Sequence, residues 1–117
     1  MDERRIFGNA AEDIAAAFLI ERGMTVTHQQ YRTRVGEIDV IAQDGDEIVF
    51  VEVKARKTNE FGYPEESVTR QKLNKIMYAG EIFLKTHQLE RSRYRIDVIA
   101  IEFYEEPPKI THIVGVG

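Results

Sequence analysis

The chain contains no cysteine, which excludes disulfides, thiolate metal centres and cysteine nucleophiles. Such a composition suits a reducing compartment. No apolar stretch approaches the roughly 20 residues that a membrane-spanning helix needs. Arg4 and Arg5 precede an alanine-rich run and superficially look like the start of a signal peptide. Glu12 and Asp13 interrupt that run and Glu21-Arg22 close it, which argues against a cleaved leader. The expectation is a cytoplasmic protein with no membrane partner. There is no glycine-rich phosphate loop and no serine-nucleophile motif. The three histidines, His28, His87 and His112, are scattered without ligand spacing.

A surplus of positive charge is missing as well. Sixteen Lys and Arg stand against 20 Asp and Glu, a formal net charge of -4. Simple nucleic-acid binding prefers a basic footprint. The objection weakens if several acids surround a bound cation that offsets them. Basic residues also cluster locally: Arg32 and Arg34; Lys54, Arg56 and Lys57; Arg70, Lys72 and Lys75; Arg91, Arg93 and Arg95. For any one cluster taken alone, a solvated face is the simpler reading.

What is present is enough for one domain with one core. A length of 117 residues fits a single domain without staples. Hydrophobic residues make up 43%, ordinary for a globular chain. Residues 9–22 read as a helix, with Ala11, Ile14, Ala15, Phe18 and Leu19 on one face and Gly23 as its stop. Strands are expected at Met24–Gln30, Gly36–Gln43 and Glu47–Ala55, with a polar connection over Tyr31–Val35. Asp44-Gly45 between apolar runs is a hairpin signal. A loop over 56–64 leads to a long helix starting near Pro64 or Ser67 and ending at Thr86. Its core side is Leu73, Ile76, Gly80, Phe83 and Leu84. A fourth strand follows at Tyr94–Phe103, and Ile110–Val114 suits a short edge strand beyond Pro107-Pro108. The order helix, three strands, helix, strand predicts an α/β domain with a mixed central sheet and helices on it. The core spans about 8–103 and the tail 104–117.

Charge sits where apolar strands should exclude it. Gly36-Glu37-Ile38-Asp39-Val40-Ile41-Ala42 and Ile48-Val49-Phe50-Val51-Glu52-Val53-Lys54 carry three acids and a lysine. Buried unpaired charge is costly, so these residues are expected to be used. If Asp44-Gly45 is a two-residue turn, Asp46 pairs with Gln43, Phe50 opposes Asp39 and Glu52 opposes Glu37. Side chains alternate along a strand, so Glu37, Asp39, Glu52 and Lys54 would share one face at one end of the hairpin. Asp39 and Glu52 would then be diagonal neighbours, with β-carbons about 7–8 Å apart or less.

Facing carboxylates repel and raise each other's pKa, and a bound cation removes that penalty. Oxygen-only ligands favour Mg²⁺ or Mn²⁺. Lys54 would orient an attacking water or stabilise transition-state charge. Plainer readings stand beside this one. Asp39 would cap a turn, Glu37 would be an exposed edge residue, and Glu52 with Lys54 an ordinary ion pair. Periodicity places Glu12 beside the apolar stripe of the first helix, bordering either the site or solvent, with solvent slightly favoured. Arg95-Ile96-Asp97-Val98-Ile99-Ala100 repeats the first motif almost letter for letter. Asp97 has no Glu-x-Lys partner downstream, so it reads as structural or as a supporting residue behind the site.

An Asp, twelve intervening residues, then Glu-x-Lys resembles the PD-(D/E)xK nuclease superfamily. More closely, the chain resembles the YraN family of predicted endonucleases, similar in turn to archaeal Holliday-junction resolvases. The resemblance is carried by Gly8, the Ala11-Glu12 helix, Gly36 to Ala42, and Val49 to Arg56. It continues through Phe61-Gly62-Tyr63-Pro64, Val68 with Lys72, and Arg95-Ile96-Asp97-Val98, covering roughly 8–103. It implies a restriction-endonuclease-like core, Asp39 and Glu52 as metal ligands, and Lys54 as the catalytic lysine. Glu12 matches the helix acid that completes such sites, and Lys72 a second-helix position near them. Glu37-Ile38 stands where the superfamily's proline would be.

The expected function is a Mg²⁺- or Mn²⁺-dependent endonuclease acting on DNA, with branched or junction DNA as the analogous substrate. Arg32, Arg34, Arg56, Lys57 and Lys72 would contact phosphates, and a junction substrate would call for a homodimer. The alternative is an accessory module with the same fold that holds nucleic acid or a protein partner without cutting.

Overall fold

A computed structural model describes residues 3–58 and 68–117, with side chains from Phe7 onward. Helix α1 spans Glu3–Glu21 and helix α2 Arg70–Thr86. The strands are β1 (Thr25–Thr33), β2 (Gly36–Asp44), β3 (Glu47–Arg56), β4 (Tyr94–Glu102) and β5 (Lys109–Ile113). They form one sheet in sequence order, in which only β3 and β4 pair in parallel. The expected restriction-endonuclease-like core of helix, three strands, helix and strand is therefore present, with β5 added at the edge.

Each helix covers one face of the sheet. On the α1 face Ala11, Ala15 and Leu19 pack on Val40, Ala42, Val49, Val51, Ile99 and Ile101. On the α2 face Ile76, Ala79, Phe83 and Leu84 pack on Ile38, Ile41, Ile48, Phe50 and Ile96. The central strands are apolar on both sides because both sides are buried, as parallel pairing in a two-sided sheet requires. Gly80 lets α2 approach closely, since a β-carbon there would lie 2.6 Å from Cε2 of the fully buried Phe50 ring.

Several boundaries differ from the sequence expectation. Helix α1 begins before residue 9, at Glu3, and runs through Gly8. Its end is as expected: Gly23 adopts φ 90°. The Gly23 and Met24 amides donate to the Ile20 and Leu19 carbonyls at 2.9 and 3.1 Å, a Schellman closure. Strand β1 continues through Tyr31–Thr33, read from sequence as a connection, because these residues pair with Gly36–Ile38. Polar alternation on an edge strand gives no apolar signal to read. Helix α2 starts at Arg70, capped by the Thr69 hydroxyl, which accepts from the Lys72 amide at 3.2 Å. The expected starts at Pro64 or Ser67, and the Phe61-Gly62-Tyr63-Pro64 motif, lie outside the described residues.

The hairpin turn is displaced by one residue. Asp44 pairs with Glu47 and Gln43 with Ile48, so the two-residue loop is Gly45-Asp46, with Gly45 at φ 63°. A glycine at the first central position supplies the left-handed backbone that such tight turns need. Every pairing shifts by two residues against the expected register. Continued beyond the last paired residues, Val40 and Val51, it sets Asp39 across from Glu52 rather than Phe50.

Candidate active site

The β2–β3 ladder stops at Val40 and Val51, and the charged residues collect where the strands part. Asp39 takes over the role of the missing ladder partner: its Oδ2 accepts from the Val53 amide at 2.8 Å. The expected strict alternation fails at this position. Ile38 packs on the α2 side of the sheet and Val40 on the α1 side. Asp39 lies between them and is exposed to the charges of both faces.

Two acids lie beside Asp39. Glu12, from α1, and Glu37, from the start of β2, each bring a carboxylate oxygen to within 4.8 Å of each other and of Asp39. Among the described residues, no other group of three or more metal-capable side chains meets that condition. Glu12 Oε1 is buried without a hydrogen-bond partner in the protein. Glu52, whose charge also acts on Asp39 and Glu12, stands with two lysines. Glu52 Oε1 lies 3.7 Å from Lys54 Nζ and 3.8 Å from Lys72 Nζ. Asp39, Glu52, Lys54, Lys72 and Glu12, named from sequence, thus converge. Glu37, expected as an edge or supporting residue, joins Glu12 and Asp39 directly, whereas Glu52 is engaged by the lysines.

Burial pushes the Asp39 carboxyl up to about 7, with the neighbouring Glu52 charge adding and the Val53 amide partly opposing. Burial also raises Glu12. Lys54 is lowered by burial and then by Lys72, against the pull of Glu52. Burial is the largest cause of all three shifts, and crowded negative charge adds to it at Asp39 and Glu12. A carboxyl raised in the folded state stabilises fully below its unfolded pKa and loses that contribution as pH rises through the folded value. The metal-free protein is therefore expected to lose heat stability as pH rises from about 4 to about 7. Asp39→Asn should flatten that slope. Calorimetric scans with a chelator present read both, and an unchanged slope in the variant would assign the effect to other groups.

The surrounding cations are less uniform than expected. Arg32 pairs with Glu37 at 3.4 Å and so borders the cluster. Arg34 instead lines an open groove of about 630 Å³ beside α2, with Val35 and Tyr78. Lys57 sits over the Phe7 ring at 4.6 Å. Arg56 follows Lys54 by two residues on β3. Asp97 is apart from the site and fully buried. It accepts from Arg95 Nε at 3.0 Å and the Gly115 amide at 2.9 Å, with His112 Nε2 at 2.8 Å. The structural reading of this second motif is the one its contacts support.

Two residues at the cluster drew no attention in the sequence. Gln30 donates from Nε2 to Asn9 Oδ1, and its side chain lies close enough to the Glu12 carboxyl to oppose the rise of its pKa. The available signal was spacing, since Asn9 precedes Glu12 by three residues on the same helix and i, i+3 side chains are neighbours.

A mixed sheet of this connectivity, with acids and lysines at the open end of its β2–β3 hairpin, defines a protein of the restriction-endonuclease-like class. Residues 11–101 match the profile described as "Uncharacterised protein family UPF0102". A UPF0102 protein of Desulforapulum autotrophicum is 43% identical over 105 residues, covering 90% of this chain and 85% of its own. One from Clostridioides difficile is 38% identical over 108 residues, covering 92% and 93%. One from Caldicellulosiruptor saccharolyticus is 38% identical over 98 residues, covering 84% and 83%. The chain belongs to this family, which is the YraN family anticipated from its motifs. No helix of the described residues is long and apolar enough to cross a membrane.

Proposed function

We propose that the chain is a divalent-cation-dependent endonuclease that hydrolyses phosphodiester bonds of DNA, with branched or junction DNA as the preferred class. The observation that carries this is the gathering of the Glu12, Glu37 and Glu52 charges around Asp39, with Lys54 and Lys72 on Glu52. The donor set fits Mg²⁺ or Mn²⁺: it is all oxygen, and the orphaned Glu12 Oε1 wants a cationic partner. Glu12, Glu37 and Asp39 would hold the ion, with the Glu52 charge acting on Asp39 and Glu12. Such an ion, when bound, neutralises phosphate charge and acidifies a water ligand.

The chain's own groups supply the rest. Lys54, next to Glu52 and lowered in pKa, would orient the nucleophilic water and meet the charge that develops on the phosphate. Lys72 would hold Glu52 in place and contact a phosphate. Arg32, Arg34, Arg56 and Lys57 would add backbone contacts that position DNA without reading its sequence. A four-way junction presents two equivalent strands to cut, which a homodimer would match.

A second reading is an accessory module that holds nucleic acid or a partner without cutting. The net charge of -4 and the engagement of Arg32 by Glu37 favour it. Incubation of labelled branched and linear DNA with the protein and Mn²⁺ or Mg²⁺ separates the two. Cutting that a chelator abolishes supports the nuclease. Salt-sensitive DNA binding without any cutting supports the module.

A further inference from the structure

Gln30 and Asn9 each violate a local rule. Gln30 sits at φ 52°, a left-handed conformation that is unfavourable for a non-glycine residue. Asn9 lies inside α1, where asparagine is among the poorer helix formers. The two side chains are bonded to each other, with Gln30 donating to Asn9. The Gln30 side chain also lies close to the Glu12 carboxyl, whose Oε1 is left buried and unpartnered. Local penalties that persist together at one point mark a site whose geometry is used for something other than stability.

The position of Gln30 in the sheet strengthens the case. Gln29 pairs with Val40 and Tyr31 with Ile38, so Gln30 lies across from Asp39. The alternation of β2 breaks at Asp39, with Ile38 and Val40 on opposite faces, opposite the left-handed residue of β1. One residue therefore stands by both acids: its backbone lies across from Asp39, and its side chain is bonded to α1 at Asn9, three residues before Glu12.

We infer that Gln30, anchored by Asn9, is a positioning residue that fixes the Glu12 carboxylate toward the cation of the site. The inference rests on the metal-site reading above. An amide that donates to one carboxylate oxygen fixes the orientation of the other. Residues in this supporting role change metal affinity by about 10–100-fold when lost. Asn9 in turn occupies the Gln30 amide, so that the side chain has one orientation.

The test exploits the local penalties. Gln30→Gly keeps a residue suited to left-handed backbone and removes the amide. Asn9→Ala removes the anchor and improves the helix. Neither is expected to lower the unfolding midpoint of the metal-free chain by more than a few degrees. Mn²⁺ binding to the full chain is measured by titration calorimetry at fixed pH. The expected result is a dissociation constant weakened about tenfold or more in both variants. Wild-type affinity in both, with the wild type binding, would overturn the positioning role and leave the metal site standing. A wild type that binds no Mn²⁺ would overturn the metal-site reading and this inference together.

Discussion

Lys54→Ala is expected to lower metal-dependent cleavage by about 10²–10⁴-fold while divalent-cation binding survives. The ammonium lies 3.7 Å from Glu52 and, being protonated, offers no ligand atom, so its removal should spare the carboxylates proposed to hold an ion. Its loss would instead remove the group proposed to orient water and meet developing charge. Asp39→Asn should behave differently, losing cleavage and most cation affinity together. It should also raise the stability of the metal-free protein at neutral pH, because a buried carboxyl crowded by Glu52, Glu12 and Glu37 becomes neutral. Cleavage assays paired with Mn²⁺ titrations separate the two patterns. Equal loss of binding in both variants would mean that Lys54 supports the cation site rather than the chemistry.

Asp97→Ala is expected to cost about 3–5 kcal/mol of folding stability, the usual penalty for stripping one member from a buried charged network. Asp97 joins three parts of the chain. Arg95 comes from its own strand, His112 from β5, and Gly115 from the segment after it. Arg95 also holds Asp44 at 3.1 Å and Glu47 at 2.8 Å, beside the β2–β3 turn. Removing the carboxylate leaves a guanidinium half-released in the interior and unfastens β5. Urea unfolding should show the loss in the midpoint. A change under about 1 kcal/mol would mean that the network stabilises little beyond its own desolvation.

The two near-identical peptides show what sequence could and could not tell. Glu37-Ile38-Asp39-Val40-Ile41-Ala42 and Arg95-Ile96-Asp97-Val98-Ile99-Ala100 flank β3 on opposite sides. Both read as buried strands with a charge in them, and both are. Their aspartates differ only in what the rest of the chain brings to them. Donors from β4, β5 and the tail surround Asp97, whereas Asp39 receives one amide and three other acids. The missing Glu-x-Lys partner was a valid local clue to that difference.

Element types were legible because apolar periodicity was strong in β2, β3, β4 and α2. The hairpin register was not, because Asp44-Gly45 and Gly45-Asp46 are both acceptable turns and differ by two residues in pairing. The acids and Lys54 still meet because the two-residue shift leaves them at the same end of the hairpin, with Asp39 across from Glu52. Glu37 was undervalued because a strict two-residue period cannot foresee a strand that changes faces at Asp39. Gln30 was invisible because nothing in a Gln-Gln pair announces left-handed backbone.

Gly80 has a consequence well away from the core. Helix α2 is a stiff rod pressed most closely to the sheet where Gly80 meets Phe50. Lys72 rides on the same rod eight residues earlier, about 12 Å along its axis at 1.5 Å per residue. The contact acts as a fulcrum. Any bulk added beneath it lifts or tilts the rod, and the Lys72 ammonium moves with it. The 3.8 Å separation from Glu52 is thus gauged by an absent side chain in the interior. Tuning of the charged rim can come from an apolar position that touches none of its residues.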